Sequence, residues 1–240
     1  MHVVTSVRGR VREGPCPSPV STRRRRAATT RRREPRRPSP PRITSTREAP
    51  MSLILTSPPA AEPLSLAELK AFLRVDGTEE DGLIGSVASA ARAHLEAMTG
   101  RAFVTQGWRI LRDAWPPTGL LALPLGPVQS LDAVTVTTAE GAVSVPTDRF
   151  RLDGTAVPPR LAWRVGEVPQ PAPRLAGIAL DVTAGFGPPE DVPAPLLQAL
   201  RLLAAYWFEN RSLVTVGHEV AVMPRMVQDL VAPFVARRVA

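Results

Sequence analysis

Apolar positions recur at helical spacing in four stretches of this chain and change to alternation in the region between the second and the third. The longest is Val192 to Arg211. Leu196, Leu200, Leu203 and Trp207 form one row and Leu197, Ala204 and Phe208 the next, which predicts a helix with a wide apolar face. Asp191 is placed to cap it, and Pro193 and Pro195 fall in the first turn, where a missing N–H costs nothing. Only Gln198, Arg201 and Glu209 interrupt the apolar surface, so the helix must be covered on more than one side. Two readings stay open: a central core helix, or one whose second face meets another subunit.

Earlier in the chain, Ser65 and Glu68 have the spacing of a capping box, and Leu64 can staple against Leu69. Leu66, Leu69, Phe72 and Leu73 then make the apolar face of a short helix ending near Val75, with Asp76-Gly77 as the turn. Thr78 and Asp81 restart a helix carrying Leu83, Ile84, Val87, Ala88, Ala91, Leu95 and Met98, closed by Gly100 as a C-cap. After Gly100 the period falls to two. Residues 103 to 112, 120 to 123, 131 to 138, 142 to 145, 149 to 152, 160 to 165 and 177 to 184 are short, alternating or β-branched, and bounded by Gly, Pro and Asp. They predict an antiparallel β region with a hairpin at Ala139-Glu140-Gly141. A last amphipathic segment holds Met226, Val227, Leu230, Val231 and Phe234, and Pro233 should shorten it.

Charge alters this picture at one end only. Residues 1 to 50 hold 14 arginines and 3 glutamates, a net of +11, whereas residues 51 to 240 carry 16 basic and 19 acidic side chains, a net of −3. The overall +8 therefore describes a tail, and the body is slightly acidic, which argues against a nucleic-acid-binding body. Residues 1 to 63 read as a disordered Arg/Pro-rich tail and lead-in. For residues 1 to 50 the readings are upstream sequence read in frame before a start at Met51, a basic leader, or a basic arm that grips DNA non-specifically. The first is favoured. The only cysteine, Cys16, lies in this tail, so the body has neither a disulfide nor a cysteine metal site. No apolar run approaches the roughly 20 residues that span a bilayer, and no membrane partner is expected.

Candidate chemistry is thin. His94-Leu95-Glu96 lacks the Pro-Cys-x-x-Cys that a zinc deaminase needs, so His94 is assigned to the edge of a helix interface. His218-Glu219 is a lone pair, and Glu79, Glu80 and Asp81 lack the alternation of a calcium loop and suit a helix N-terminus instead. Gly185-Phe186-Gly187 is followed by two prolines where a phosphate-binding helix would start. Trp108-Arg109 and Trp163-Arg164 resemble a stacking platform, but alternation in a strand turns tryptophan inward and arginine outward. No nucleophile, base or cofactor cradle is assembled, and neither an enzyme nor a cofactor is expected.

An ordered set of short motifs carries more information. Leu66, Lys70, Leu73 to Asp76, Asp81, Glu96, Thr99 to Arg101, Gln106 and Trp108 come first, followed by Val182 to Gly187, Val192-Pro193, Gln198-Ala199, Tyr206 to Arg211, Met223-Pro224, Leu230 and Pro233. In this order they resemble the gp6-like head–tail connector proteins of tailed bacteriophages and the adaptors of gene transfer agents. The resemblance covers residues 64 to 238 and is weakest in the β region.

It implies an α+β fold: a connector domain of about four helices at 64–238, with an antiparallel β insertion at about 103–184 between the second and third helices. It also implies a structural role in the neck of a virion or phage-like particle assembled in the bacterial cytoplasm. There a homo-oligomeric ring, usually twelve-fold, docks under the portal protein, extends the channel through which DNA passes without sequence specificity, and meets the next connector, stopper or tail protein. The alternative is a nucleic-acid-binding protein that uses the arginine arm. The C-terminal helix and tail of such rings contact the portal, which selects Val227, Leu230, Phe234, Arg237 and Arg238. Arg201, Glu209 and Arg211 on the long apolar helix are the candidates for the subunit boundary.

Overall fold

A computed structural model of the protein describes residues 51–172, 175–210 and 223–235. The elements run β1 (Met51–Ser57), α1 (Leu66–Leu73), α2 (Asp81–Thr99), β2 (Gln106–Arg112), β3 (Leu120–Ala122), β4 (Val128–Thr138), β5 (Gly141–Val145), β6 (Phe150–Asp153), β7 (Arg160–Trp163), β8 (Ile178–Ala184), α3 (Ala194–Glu209) and α4 (Arg225–Val231). Among the described residues, four α-helices with antiparallel sheets make an α+β fold, and β2 to β8 all lie between α2 and α3 in the chain. Each sequence-predicted strand is present within a few residues.

The helices start and stop where local chemistry dictates, with two exceptions. Ser65 Oγ accepts from the Glu68 N–H at 3.2 Å while the Glu68 carboxylate accepts from Ser65 N at 2.9 Å, completing the capping box of α1. Gly100 ends α2 in the left-handed conformation at φ 66°, its N–H donating to Glu96 O at 2.9 Å. Thr78, in contrast, does not cap α2: the helix begins behind Glu80 without a side-chain cap, and Asp81 turns instead to Lys70 at 2.6 Å, tying α2 to α1. Nor does Asp191 cap α3. Pro189–Asp191 forms a turn of 3-10 helix, and α3 starts after Pro193. Pro233 does shorten the last helix: α4 stops at Val231 and a 3-10 turn, Ala232–Phe234, follows.

The strands form two sheets. One has the order β1-β2-β8-β4-β5, antiparallel throughout, and the other the order β3-β7-β6. β1 corrects the expectation for the lead-in, because Met51–Ser57 is a strand paired with β2 from Met51↔Arg112 to Ser57↔Gly107. Its apolar run is a strand sequence that the following prolines obscure.

Two hydrophobic cores result. In the helical core α3 packs against α1, α2 and α4, burying Leu196, Leu200, Leu203 and Phe208 against Ile84, Leu95 and Val227. The β core gathers Ile110, Val134, Leu161 and Leu180 around a cluster in which the Trp115 and Trp163 rings lie 4.8 Å apart. Trp115 donates from Nε1 to Pro169 O at 3.0 Å. Trp115 and Trp163 are buried, and Trp108 and Trp207 pack half-buried against the cores, so tryptophan serves packing here. Among the described residues no helix is long and apolar enough to cross a membrane.

Candidate functional site

The residues singled out at the ends of the helical core fall into three groups. Val227 is fully buried in that core, and Leu230 and Phe234 pack half-buried against it. For Val227 the core role is the whole of its visible role. Arg201 sits on the solvent-facing flank of α3 and reaches Glu68 of α1 at 3.5 Å within the same chain. Glu209 is exposed on the last turn of α3. Arg211, Arg237 and Arg238 lie outside the described residues, as do His218 and the arginine tail.

Glu68 is shared between two duties. Its carboxyl is held below the usual glutamate range first by the Ser65 backbone N–H, then by the Ser65 hydroxyl, and only afterwards by the charge of Arg201. An exposed pair of this kind contributes about 0.2–1 kcal/mol. The charge-swapped pair Glu68→Arg with Arg201→Glu separates two roles for Arg201. If its partner is Glu68 alone, the double variant, which regains the ion pair though it loses the capping box, should assemble better than Arg201→Glu alone in sedimentation velocity. A double variant as defective as the single one places a further partner for Arg201 across a subunit boundary.

Beside this pair the helices leave an apolar groove. Phe72 and Leu73 of α1, Leu202 and Tyr206 of α3, and Met226 of α4 line it, with Arg74 and Glu209 also at its wall. Phe72 is 41% exposed and Met226 62%. The predicted apolar face of α1 is thus only partly covered, with Leu69 its one buried residue. α3 is covered by α1 and α2 on one side and α4 on another, as its narrow polar stripe requires.

Several motif residues turn out to be structural staples. Glu96, near the end of α2, accepts from the Phe103 N–H at 2.8 Å and Gln106 Nε2 at 2.9 Å through one oxygen and from Arg92 Nη1 at 2.8 Å through the other. Arg92 also holds Glu62, at 2.7 Å. Burial raises the Glu96 carboxyl above its ordinary value, opposed first by the Phe103 N–H and then by the Arg92 charge. Arg101 donates to Phe234 O at 2.7 Å and lies 6.0 Å from the centre of its ring, fastening the C-terminal turn to the end of α2. Asn210 closes α3, its side chain donating to Tyr206 O at 2.8 Å. His94 meets Trp207 edge-on at 5.5 Å, at the α2–α3 interface as predicted.

None of these contacts is chemistry on a substrate. Among the described residues no three His, Cys, Asp or Glu side chains gather to hold a metal ion. The roles of Glu96 and Arg101 are not legible in the sequence, although both residues stand in the motif set. Their partners are groups brought close only by the reversal at Gly100 and by the return of the C-terminal turn.

Comparison with known proteins agrees with this arrangement. Residues 63–142 match the family described as phage gp6-like head-tail connector protein. Three solved structures are similar over most of the chain. A chain in the neck of an empty GTA particle computed with C6 symmetry is 28% identical, with a TM-score of 0.68, over 79% of this chain and 97% of that one. A chain in the virion of a native gene transfer agent (GTA) particle is 29% identical, with a TM-score of 0.65, over 78% and 97%. A chain in the neck of a native GTA particle computed with C12 symmetry is 28% identical, with a TM-score of 0.64, over 79% and 97%. No curated protein matches the chain.

Proposed function

We infer that this chain is a gp6-like head–tail connector, a structural component of the neck of a phage-like particle of the gene-transfer-agent kind. The observation that carries this is the near-complete coverage of the neck chains at more than a quarter identity, joined to the family match at the start of the helical core. The part it plays is mechanical. Its side chains hold a shape and present surfaces, and it is read as non-enzymatic because a rigid adaptor needs no reacting groups.

The finer reading is a twelve-fold ring that docks beneath a portal protein after assembly in the bacterial cytoplasm, continues the DNA channel and hands over to the next connector or tail protein. Its unit is a connector domain at 64–238 with the β insertion inside it, and β1 adds a strand to the sheet of that insertion. A net charge of −3 over residues 51 to 240 suits a channel wall along which a polyanion slides without adhering. On the helical side the groove at Phe72, Tyr206 and Met226, with Glu209 beside it, is the proposed docking face, together with Leu230 and Phe234. Arg211, Arg237 and Arg238 are proposed as further contacts to the portal.

Negative-stain imaging of the full chain mixed with the portal protein from the same gene cluster tests this. Rings capping the portal are expected. Monomers that neither form rings nor cap it would overturn the connector reading.

A further inference from the structure

β1 is built like an interior strand but sits at the edge of its sheet. Its sequence, Met-Ser-Leu-Ile-Leu-Thr-Ser, holds no charge, and Leu53, Ile54 and Leu55 are 42%, 46% and 45% exposed. Cross-strand partners share a face, so Leu53 opposite Ile110 and Leu55 opposite Trp108 lie on the core side, while Ile54 opposite Arg109 lies on the other. The core row of β2 therefore runs on into two leucines that nothing in the described chain covers fully, and on the reverse face Ile54 stands exposed between Ser52 and Thr56. Apolar residues on both faces belong to strands with neighbours all round. Edge strands that must stay unpaired carry charges, prolines or bulges. Here the register irregularity and the prolines come only at the end, from Leu55 to Pro59, and Met51 to Leu55 has no such guard.

The opposite edge of the same sheet is also unguarded. β5, Gly-Ala-Val-Ser-Val, is uncharged, residues 141 to 144 are exposed, and Val143 is 41% exposed. A ring closed by rotation needs two different surfaces on each subunit, one meeting the other on the next copy. The two ends of one sheet meet that requirement, and neither brings a charge that the other must desolvate.

We propose that the β1 edge is a subunit interface that receives the β5 edge of a second copy of this chain, continuing the sheet from copy to copy. The inference rests on the connector reading, because that reading makes the second copy the partner. Main-chain hydrogen bonds supply the attachment and the Leu53, Ile54 and Leu55 side chains supply the buried apolar area.

Two variants of the full chain test it. Leu53→Lys with Ile54→Glu puts a charge on each face of β1, the glutamate opposite Arg109, where the monomer tolerates it. The concentration for half-assembly should rise at least tenfold by sedimentation velocity, with an unchanged circular dichroism spectrum. Should that variant fail to fold, Ile54→Cys with Val143→Cys in a Cys16→Ser background decides instead. A short bismaleimide should then give a ladder of linked copies that neither single-cysteine chain gives. Rings that ignore the charges, together with the absence of a ladder, would overturn the proposal and leave the connector reading standing. Rings that persist while portal capture is lost would assign β1 to a different protein, which also overturns it. A parent chain that forms no ring with or without the portal sinks the connector reading, and the inference with it.

Discussion

Gly185→Ala is expected to destabilise the domain by about 3–5 kcal/mol, lowering the melting temperature by about 6–20 °C. Gly185 sits at φ 137°, a conformation nearly closed to side chains, and a Cβ there would lie 2.5 Å from Val104 O and 2.7 Å from Thr105 N. Those atoms cannot retreat. The Gly185 N–H donates to Pro127 O at 2.9 Å, the Phe186 N–H to Phe103 O at 3.1 Å and the Thr105 N–H to Gly187 O at 2.9 Å, so this loop laces together the segments that lead into β2 and out of β8. Gly141 provides the control, since its φ is 128° but no atom stands within 4 Å of the place an added methyl group would take. Gly141→Ala bears the backbone strain alone, about 1–3 kcal/mol. Equal losses in the two variants by thermal denaturation would show that the close approach at Val104 contributes nothing.

The second large effect is at Glu96. Glu96→Ala strips acceptors from the Phe103 N–H, from Gln106 and from Arg92 at once. Breaking a buried pair costs about 3–5 kcal/mol, but Glu62 remains beside Arg92, so about 2–4 kcal/mol is expected. Glu96→Gln keeps one acceptor oxygen and should lose about half as much. The pH dependence has a definite sign. Because the Glu96 carboxyl is raised in the folded state, the folded chain holds its proton more tightly than the unfolded one. Its contribution is fully present below the ordinary glutamate value of 4.5 and is lost as pH rises through the raised folded value. Urea titrations should therefore show the stability difference between the parent and Glu96→Gln shrinking as pH climbs from the ordinary value of 4.5 through the raised folded value, and staying constant above it. Glu68 and Asp153, which are lowered, act in the opposite direction at more acid pH and cancel in the difference. A difference that does not move with pH would mean that Glu96 is not desolvated.

These two sites show why parts of the molecule are legible in its sequence and others are not. Capping at Ser65 and Glu68 and termination at Gly100 are local: the residues that act are within three or four positions of the groups they satisfy. The strands of the β region announce themselves by alternation, and each is present. Their assignment to two sheets cannot be read, because β2 pairs with β8 across some seventy residues and alternation says nothing about partners. β1 escapes notice for a related reason. Its five good strand residues adjoin Ser57-Pro58-Pro59, which reads as a lead-in, and only the position of β2 reveals their use. The expected Asp191 cap is absent because Pro189 holds that segment in a 3-10 turn, so α3 has to start after Pro193. Of the candidate surface residues, Arg201 and Glu209 prove accessible and Val227 does not. A period of 3.6 separates faces, but it does not say which face a neighbouring helix takes.

The pairing of Gln106 with Ala184 makes the β region an insert that closes on itself, since the chain enters beside the point at which it leaves. For the helices, α2 and α3 are joined as if by two short connectors, and the roughly eighty residues between add little to the entropy lost on bringing them together. The helical bundle can therefore form its contacts as soon as the insert has closed, whatever the insert contains. Strands in the middle of the insert are free to lengthen, shorten or be exchanged over generations without disturbing the bundle. Such freedom accounts physically for a chain whose motifs are concentrated at its two ends and are sparse in between.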